Sequence, residues 1–343
     1  MTRTITFMNA INEALDQAMA KDDRVVLLGE DIAGGAEVKH LAEKNEEAWG
    51  GVFGVTKGLM PKYGRRRVID TPISEMGYMG AAVGAAATGL RPVPELMFND
   101  FLGFCLDTLL NQGSKMRYMF GGKAQIPLTV RTCHGAGASA AEQHSGSYYG
   151  MLGALPGIKV VVPSTPYDAK GLLLSAIEDN NIVIFFEDKK LYSVKGEVPE
   201  EYYTIDIGKA NILRDGEDLT IVTIGKMAQV GLEVAQKLAD KQISTEVIDL
   251  RTVAPWDQET VLKSVKKTGR LIVIDEANPH NNVATDIASV VANKAFDYLD
   301  GPIKCVCAPN TPVPFNHHLE SLYIPSAQKV LDTAAELITD LKK

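Results

Sequence analysis

Apolar positions in the first half of the chain follow two spacings in turn. Phe7, Ile11, Leu15 and Ala18 recur at helical intervals and predict one amphipathic helix over about 6–20. Short apolar runs at 24–28, 93–97, 127–132, 160–162 and 182–186 predict strands. Between them, helices are expected over 74–88, 101–117 and 169–178, the last opened by Ser164-Thr165-Pro166. Strand and helix in alternation are the rhythm of a parallel sheet covered by helices.

The rhythm breaks at Asp188. From there to Gly208 the chain is charged, carries Pro199 and Tyr202-Tyr203, and shows no helical stripe, so it reads as a linker. A second alternation follows, with strands expected at 219–224, 245–249, 271–275 and 304–307 and helices at 230–239 and 258–267. The expectation is an α/β protein of two domains, 1–187 and 209–343, joined by the linker 188–208. Residues 33–51 lack a period and are expected to form a surface excursion after the first strand. In open parallel sheets that is the edge where ligands bind.

Composition narrows the class. The 343 residues are 45% apolar and 23% charged, ordinary for a water-soluble globular chain with two sizeable cores. A net charge of -8 and a pI near 5.4 argue against nucleic acid, whose phosphates need a basic face. The start Met1-Thr2-Arg3 leads straight into the amphipathic stretch, and no run is long enough to span a bilayer, so a cytoplasmic, membrane-free protein is expected. Cys105, Cys133, Cys305 and Cys307 lack zinc or redox spacing and read as buried reduced thiols. The six histidines, His40, His134, His144, His280, His317 and His318, form no metal cluster.

One carboxylate stands out. Asp70-Thr71-Pro72-Ile73-Ser74-Glu75 joins a strand to a helix that continues Gly77-Tyr78-Met79-Gly80-Ala81-Ala82. Pro72 cannot extend a strand ladder, Ser74 can cap the helix, and the small side chains beyond let a backbone or flat ligand approach. Glu75 is therefore presented at a helix start. Complementing the helix dipole, worth about 0.3–1 kcal/mol, explains such a carboxylate equally well.

Downstream, Gly135-Ala136-Gly137-Ala138-Ser139-Ala140 loosely matches a dinucleotide-binding loop. The acid expected after the next strand is missing from Lys159-Val160-Val161-Val162-Pro163-Ser164, and the chain has no phosphate loop of the G-x-x-x-x-G-K kind. The same stretch continues to Glu142-Gln143-His144. A histidine, whose unperturbed pKa is about 6.5, can move protons near neutral pH, so His144 is either a proton carrier or a loop histidine bonded to a nearby carbonyl.

Several motifs in order carry a resemblance: Gly29-Glu30-Asp31, the Asp70–Glu75 segment, Arg91-Pro92-Val93-Pro94-Glu95, Ala141-Glu142-Gln143-His144-Ser145, and Pro163-Ser164-Thr165-Pro166-Tyr167-Asp168. Asp249-Leu250-Arg251-Thr252, Asp275-Glu276 and Tyr323-Ile324-Pro325 extend it through nearly the whole chain. In this order they resemble beta subunits of the decarboxylating component of 2-oxo acid dehydrogenases, thiamine diphosphate enzymes of the transketolase-like superfamily.

The resemblance implies an N-terminal pyrimidine-binding domain, a C-terminal transketolase-like domain, and a cofactor shared with an alpha subunit in an alpha2beta2 heterotetramer. The alpha subunit would hold the magnesium and diphosphate; the nearest local match to that motif, Asp215-Gly216-Glu217, has the wrong neighbours, so no magnesium ligand is assigned to this chain. Glu75 would hydrogen-bond the pyrimidine N1′ and favour the tautomer that removes the thiazolium C2 proton. By family position Ile73 would buttress the bent cofactor, Met97 would line the pocket and Phe101 would stack on the pyrimidine, while an ordinary core role fits Met97 and Phe101 as well. His144 would handle protons or orient the lipoyl sulfur during acyl transfer to the lipoyl group of a dihydrolipoamide acetyltransferase. Ala176, Ile177, Asp179 and Asn181 match a stretch that binds a structural potassium in some members, though a helix end turning into a strand explains the same residues.

The stretch from Ala48-Trp49-Gly50-Gly51 to Gly58-Leu59, with Arg117-Tyr118-Met119-Phe120-Gly121-Gly122-Lys123, is similar to acetoin dehydrogenase beta subunits. That implies cleavage of acetoin with acetyl transfer to lipoamide; the alternative is a pyruvate or branched-chain 2-oxo acid. Cys133-His134 departs from the acetoin pattern and lies near enough to the His144 loop to bear on substrate choice.

Overall fold

The computed structural model of the protein describes residues 2–34 and 49–339. The excursion at 33–51 is therefore seen only at its two ends, and His40 and Ala48 lie outside the described residues.

The chain opens with β1 (Thr2–Thr6) and α1 (Phe7–Lys21), which begins where the Thr6 hydroxyl accepts from the Asn9 N–H. The first unit then lays down β2 (Val25–Gly29), a short α2 (Leu59–Tyr63), β3 (Val68–Asp70), α3 (Glu75–Ala87) and β4 (Arg91–Phe98). The expected helix at 101–117 is a composite: α4 (Leu102–Asp107) and α5 (Ser114–Met119) are joined by a π-helical turn over Thr108–Gly113. β5 (Thr129–His134), α6 (Tyr149–Gly153), β6 (Ile158–Val161), α7 (Pro166–Glu178) and β7 (Ile182–Asp188) complete the alternation. Thr165 caps α7 and Pro166 takes its first turn, where a missing N–H costs nothing.

The stretch 188–208 carries β8 (Lys195–Pro199), which pairs antiparallel with β1. It is also pinned from beneath: fully buried Lys170 of α7 donates to the carbonyls of Pro199, Glu200 and Glu201 and pairs with Glu13 of α1. A lysine stays charged out of water only with such a set of acceptors.

The second unit is built from β9 (Asn211–Arg214), β10 (Leu219–Thr223), α8 (Met227–Ala239), β11 (Thr245–Asp249), β12 (Thr252–Ala254), α9 (Gln258–Thr268), β13 (Leu271–Asp275), α10 (Val283–Lys294), β14 (Lys304–Cys307), α11 (His317–Tyr323) and α12 (Ala327–Thr339). Its sheet runs β14-β13-β10-β11-β9, parallel except for β9. The first sheet runs β12-β6-β7-β5-β4-β2-β3, so its outermost strand is lent by the second unit. One apolar cluster is continuous from Met79, Leu96 and Phe186 to Val222, Ile248 and Val273, and a second, under α1 and α7, covers the other face of the first sheet. Cys105, Cys133 and Cys307 are buried free thiols as expected, whereas Cys305, on the edge strand β14, is exposed.

Candidate active site at the carboxyl edge of the first sheet

Strands β2 to β7 of the first sheet are parallel, so the segments that follow them gather along one edge. Glu30 leaves β2, the Thr71–Glu75 turn leaves β3, Asn99–Phe101 leaves β4, the glycine-rich loop leaves β5 and Lys189 leaves β7. Such an edge is where α/β sheets bind ligands.

Glu75 is the first residue of α3 and is half-buried. Ser74 precedes it at the cap position, but its hydroxyl makes no capping bond, contrary to the expectation from sequence. Among the described residues the Glu75 carboxylate makes no hydrogen bond and no ion pair. Its neighbours are apolar and open: Ile73 is 84% exposed and Met76 65%. Nearby Glu30 is buried with one oxygen unpartnered, and burial, then the charge of Glu75, pushes its carboxyl above the usual range. Asp70 serves as a strut, accepting from the Ala33 N–H at 2.7 Å.

The other flank is aromatic. β4 is irregular against β5: Leu96 faces Thr132 but Phe98 faces Cys133, so Met97 is the extra residue of a bulge. The Met97 carbonyl takes the Cys133 thiol at 2.9 Å, and Phe98 is turned toward the site. The His144 ring stands against Phe98 at 4.5 Å and Phe101 at 5.7 Å, both edge-on. Met97, Phe101 and His144 are half-buried. Phe98 escaped the sequence reading because strand alternation gives it no more weight than its neighbours.

The His144 segment is fixed by its surroundings. Asn99 donates to the Gly146 carbonyl and accepts from the Tyr148 N–H, Asp100 accepts from the Gly146 N–H, and the Lys189 ammonium donates to the His144 carbonyl while lying 5.5 Å from the Phe98 ring centre. Asn99, Asp100 and Lys189 have no motif that would have singled them out. Cys133 and His134 are buried beneath the site, with His134 Nδ1 3.1 Å from the Ser147 hydroxyl.

A family model described as transketolase, pyrimidine binding domain, matches residues 3–195, and one described as transketolase, C-terminal domain, matches 208–330. The chain belongs to the transketolase-like family of oxidoreductase beta subunits. It is 59% identical to the acetoin:2,6-dichlorophenolindophenol oxidoreductase subunit beta of Bacillus subtilis, covering 98% of each chain, and 54% identical to that of Cupriavidus necator, covering 97% of each. Against the pyruvate dehydrogenase E1 component subunit beta of Bacillus subtilis the identity is 42%, over 97% of this chain and 98% of that one. A solved split gene transketolase, an inactive beta4 tetramer, shares the fold with a TM-score of 0.77 at 20% identity, over 99% of both chains.

Several motifs that carry the beta-subunit resemblance are scaffold rather than chemistry. Arg251 of the Asp249–Thr252 motif pairs with Asp168 of the Pro163–Asp168 motif, and Ser164 donates to Asp249. Glu95 and Glu187 grip buried Arg131 from two sides, at 2.8 and 2.7 Å. Asp215-Gly216-Glu217 lies in the connection between β9 and β10, and its glycine is so close to β11 that a Cβ would meet the Thr245 carbonyl carbon at 2.1 Å. Of the four potassium-matching residues, Ile177 and Asp179 give their carbonyls to Arg91, Ala176 gives its own to Thr129, and the Asn181 side chain accepts from Arg117. Among the described residues no group of three or more His, Cys, Asp or Glu side chains is placed to hold a metal.

The residues present fit a thiamine pyrimidine. A carboxylate unpartnered among the described residues stands at a helix start beside exposed Ile73, and half-buried Met97 and Phe101 belong to the segment that leaves the same sheet edge at β4. That donor set suits a flat heterocycle with a ring nitrogen and gives no purchase to a diphosphate.

Proposed function

We propose that this chain is the beta subunit of an acetoin dehydrogenase, acting with an alpha subunit in an alpha2beta2 heterotetramer. The observation that carries the substrate is the identity of 54–59% to acetoin oxidoreductase beta subunits over nearly the full length, against 42% for a pyruvate dehydrogenase beta subunit. The cofactor is thiamine diphosphate, with Glu75, Ile73, Met97 and Phe101 holding its pyrimidine and the alpha subunit holding magnesium and diphosphate. Potassium is outside the proposal, because Arg91 already brings a positive charge to two of the four donors. Free thiols and the acidic charge suit the cytoplasm.

When bound, the cofactor supplies a carbon nucleophile able to attack a carbonyl. Glu75 would keep a proton in place at the ring nitrogen, a task its side chain is free for because it has no other partner among the described residues. His144, edged against Phe98 and Phe101, moves protons as the acetyl group passes to the lipoyl sulfur of the acyltransferase. Lys189 and Asp100 hold the segment that carries it.

The test is reconstitution with an alpha subunit, thiamine diphosphate and magnesium, followed by dye reduction with acetoin, pyruvate and branched-chain 2-oxo acids. Acetoin is expected to turn over fastest. Faster turnover of pyruvate would overturn the assignment in favour of the alternative, a pyruvate dehydrogenase beta subunit.

A further inference from the structure

The loop that leads to His144 is gripped by the other unit. Glu320, in α11, is 1% exposed, and its carboxylate accepts from the N–H groups of Gly137 at 2.7 Å and Ser139 at 2.9 Å, with the Ser139 hydroxyl at 3.3 Å. Glu276, just beyond β13, accepts from the Ala136 N–H at 2.5 Å and pairs with Lys226 at 2.7 Å. Lys226 donates in turn to the Ala136 carbonyl at 2.7 Å and lies 3.5 Å from Asp188. Burying these charges is costly unless each is met by good partners, and here much of that partnership is the backbone of one loop.

The same loop is strained. Ser139 has φ 50°, and Ala141 has φ 65° with ψ 178°, a region that is essentially confined to glycine. Such conformations persist only where the surroundings over-determine them. After the strained residues, the sheet edge supplies that constraint through Asn99, Asp100 and Lys189. Before them it comes from Glu276 and Glu320.

We propose that Glu320, assisted by Glu276, is a positioning residue for His144: the C-terminal unit sets the place of the histidine through the backbone of residues 136–139. The proposal deepens the reading above, since it rests on His144 acting in acetyl transfer. Simple adhesion between the units is the rival explanation, and it would not act through the histidine.

Both are separated by a double-mutant cycle in the reconstituted complex, with acetylation of free lipoamide as the readout. Glu320→Gln is expected to lower kcat about 10- to 100-fold, as small displacements of catalytic groups do, with KM for acetoin within about twofold. In a His144→Ala background the same change should cost less than about twofold, because residues acting as a unit are not additive. Hydrogen exchange over residues 135–146 should quicken roughly tenfold in Glu320→Gln, with β5 unaltered. Full additivity, or an unchanged loop exchange rate, overturns the proposal. If His144→Ala alone leaves kcat intact, the reading of His144 falls, and with it the catalytic half of the proposal; the exchange rate then decides whether Glu320 positions the loop. Should Glu320→Gln fail to assemble, Glu320→Asp, one methylene shorter, carries the same expectations.

Discussion

The His144 ring meets the Phe98 ring edge-on, with centroids 4.5 Å apart and planes at 85°. Edge-to-face pairs are worth about 0.5–1.5 kcal/mol beyond burial, enough to select one ring orientation. Phe98→Leu keeps the apolar volume and removes that preference. Acetyl transfer to lipoamide should slow about three- to tenfold, while dye reduction, which bypasses the lipoyl group, changes less. Single-turnover measurements of the two half-reactions check this. Equal slowing of both would place Phe98 with the cofactor instead of with His144.

Among the described residues Glu75 has no hydrogen-bond or ion-pair partner, so its loss leaves no buried group stranded there. Glu75→Gln should therefore leave the thermal melt of the chain nearly unchanged while lowering turnover about 10²- to 10⁴-fold, the usual range for a lost acid–base group. Thiamine diphosphate affinity should weaken far less, as titration of the reconstituted complex would report. Intact turnover would assign Glu75 to the helix dipole alone.

Arg131 shows the opposite case. Its guanidinium is 3% exposed and holds both Glu95 and Glu187, and Tyr192 donates to Glu187 as well. Arg131→Met should destabilise the chain by about 3–5 kcal/mol in urea denaturation, because two carboxylates are left buried without a counter-charge. Replacing Glu95 and Glu187 by apolar residues in the same variant should recover much of the loss.

The strand and helix rhythm was legible because β2, β7 and β13 are buried along their length and read as nearly continuous apolar runs, while β5, β10 and β11, equally buried, interleave apolar with polar residues. β1, β8 and β12 were not, because each is short and partly exposed, and their pairing partners lie far off in sequence. Glu75 and His144 could be found because a proline, a cap-type residue and a glycine-rich loop mark their surroundings. Phe98, Lys189, Glu276 and Glu320 gain their roles only from contacts across the fold. Asp275-Glu276 illustrates the limit: the pair was visible as a motif, yet Glu276 serves the Ala136 N–H, 140 positions away, a pairing that only the sheet arrangement reveals.

His134 gives the chain an acid-sensitive point. Its ring is 2% exposed, packed edge-on to Tyr149 and Phe186, with Nε2 unpartnered. Burial, helped by the charges of Lys226 and Lys189 and opposed by Asp188, lowers its pKa from the ordinary 6.5 to about 4. The unfolded chain takes up this proton as pH falls through about 6.5, whereas the folded chain resists until about 4. The stability owed to the neutral ring is thus present above pH 6.5 and is lost as pH falls through 4. At about 1.4 kcal/mol per pH unit, the loss amounts to roughly 3 kcal/mol. His134→Gln is neutral throughout and lacks this component. Urea denaturation from pH 7.5 to 4 should therefore show wild type losing roughly 3 kcal/mol more than the variant, with the carboxylate contributions common to both. Parallel curves would mean that the imidazole titrates alike in the folded and unfolded chain.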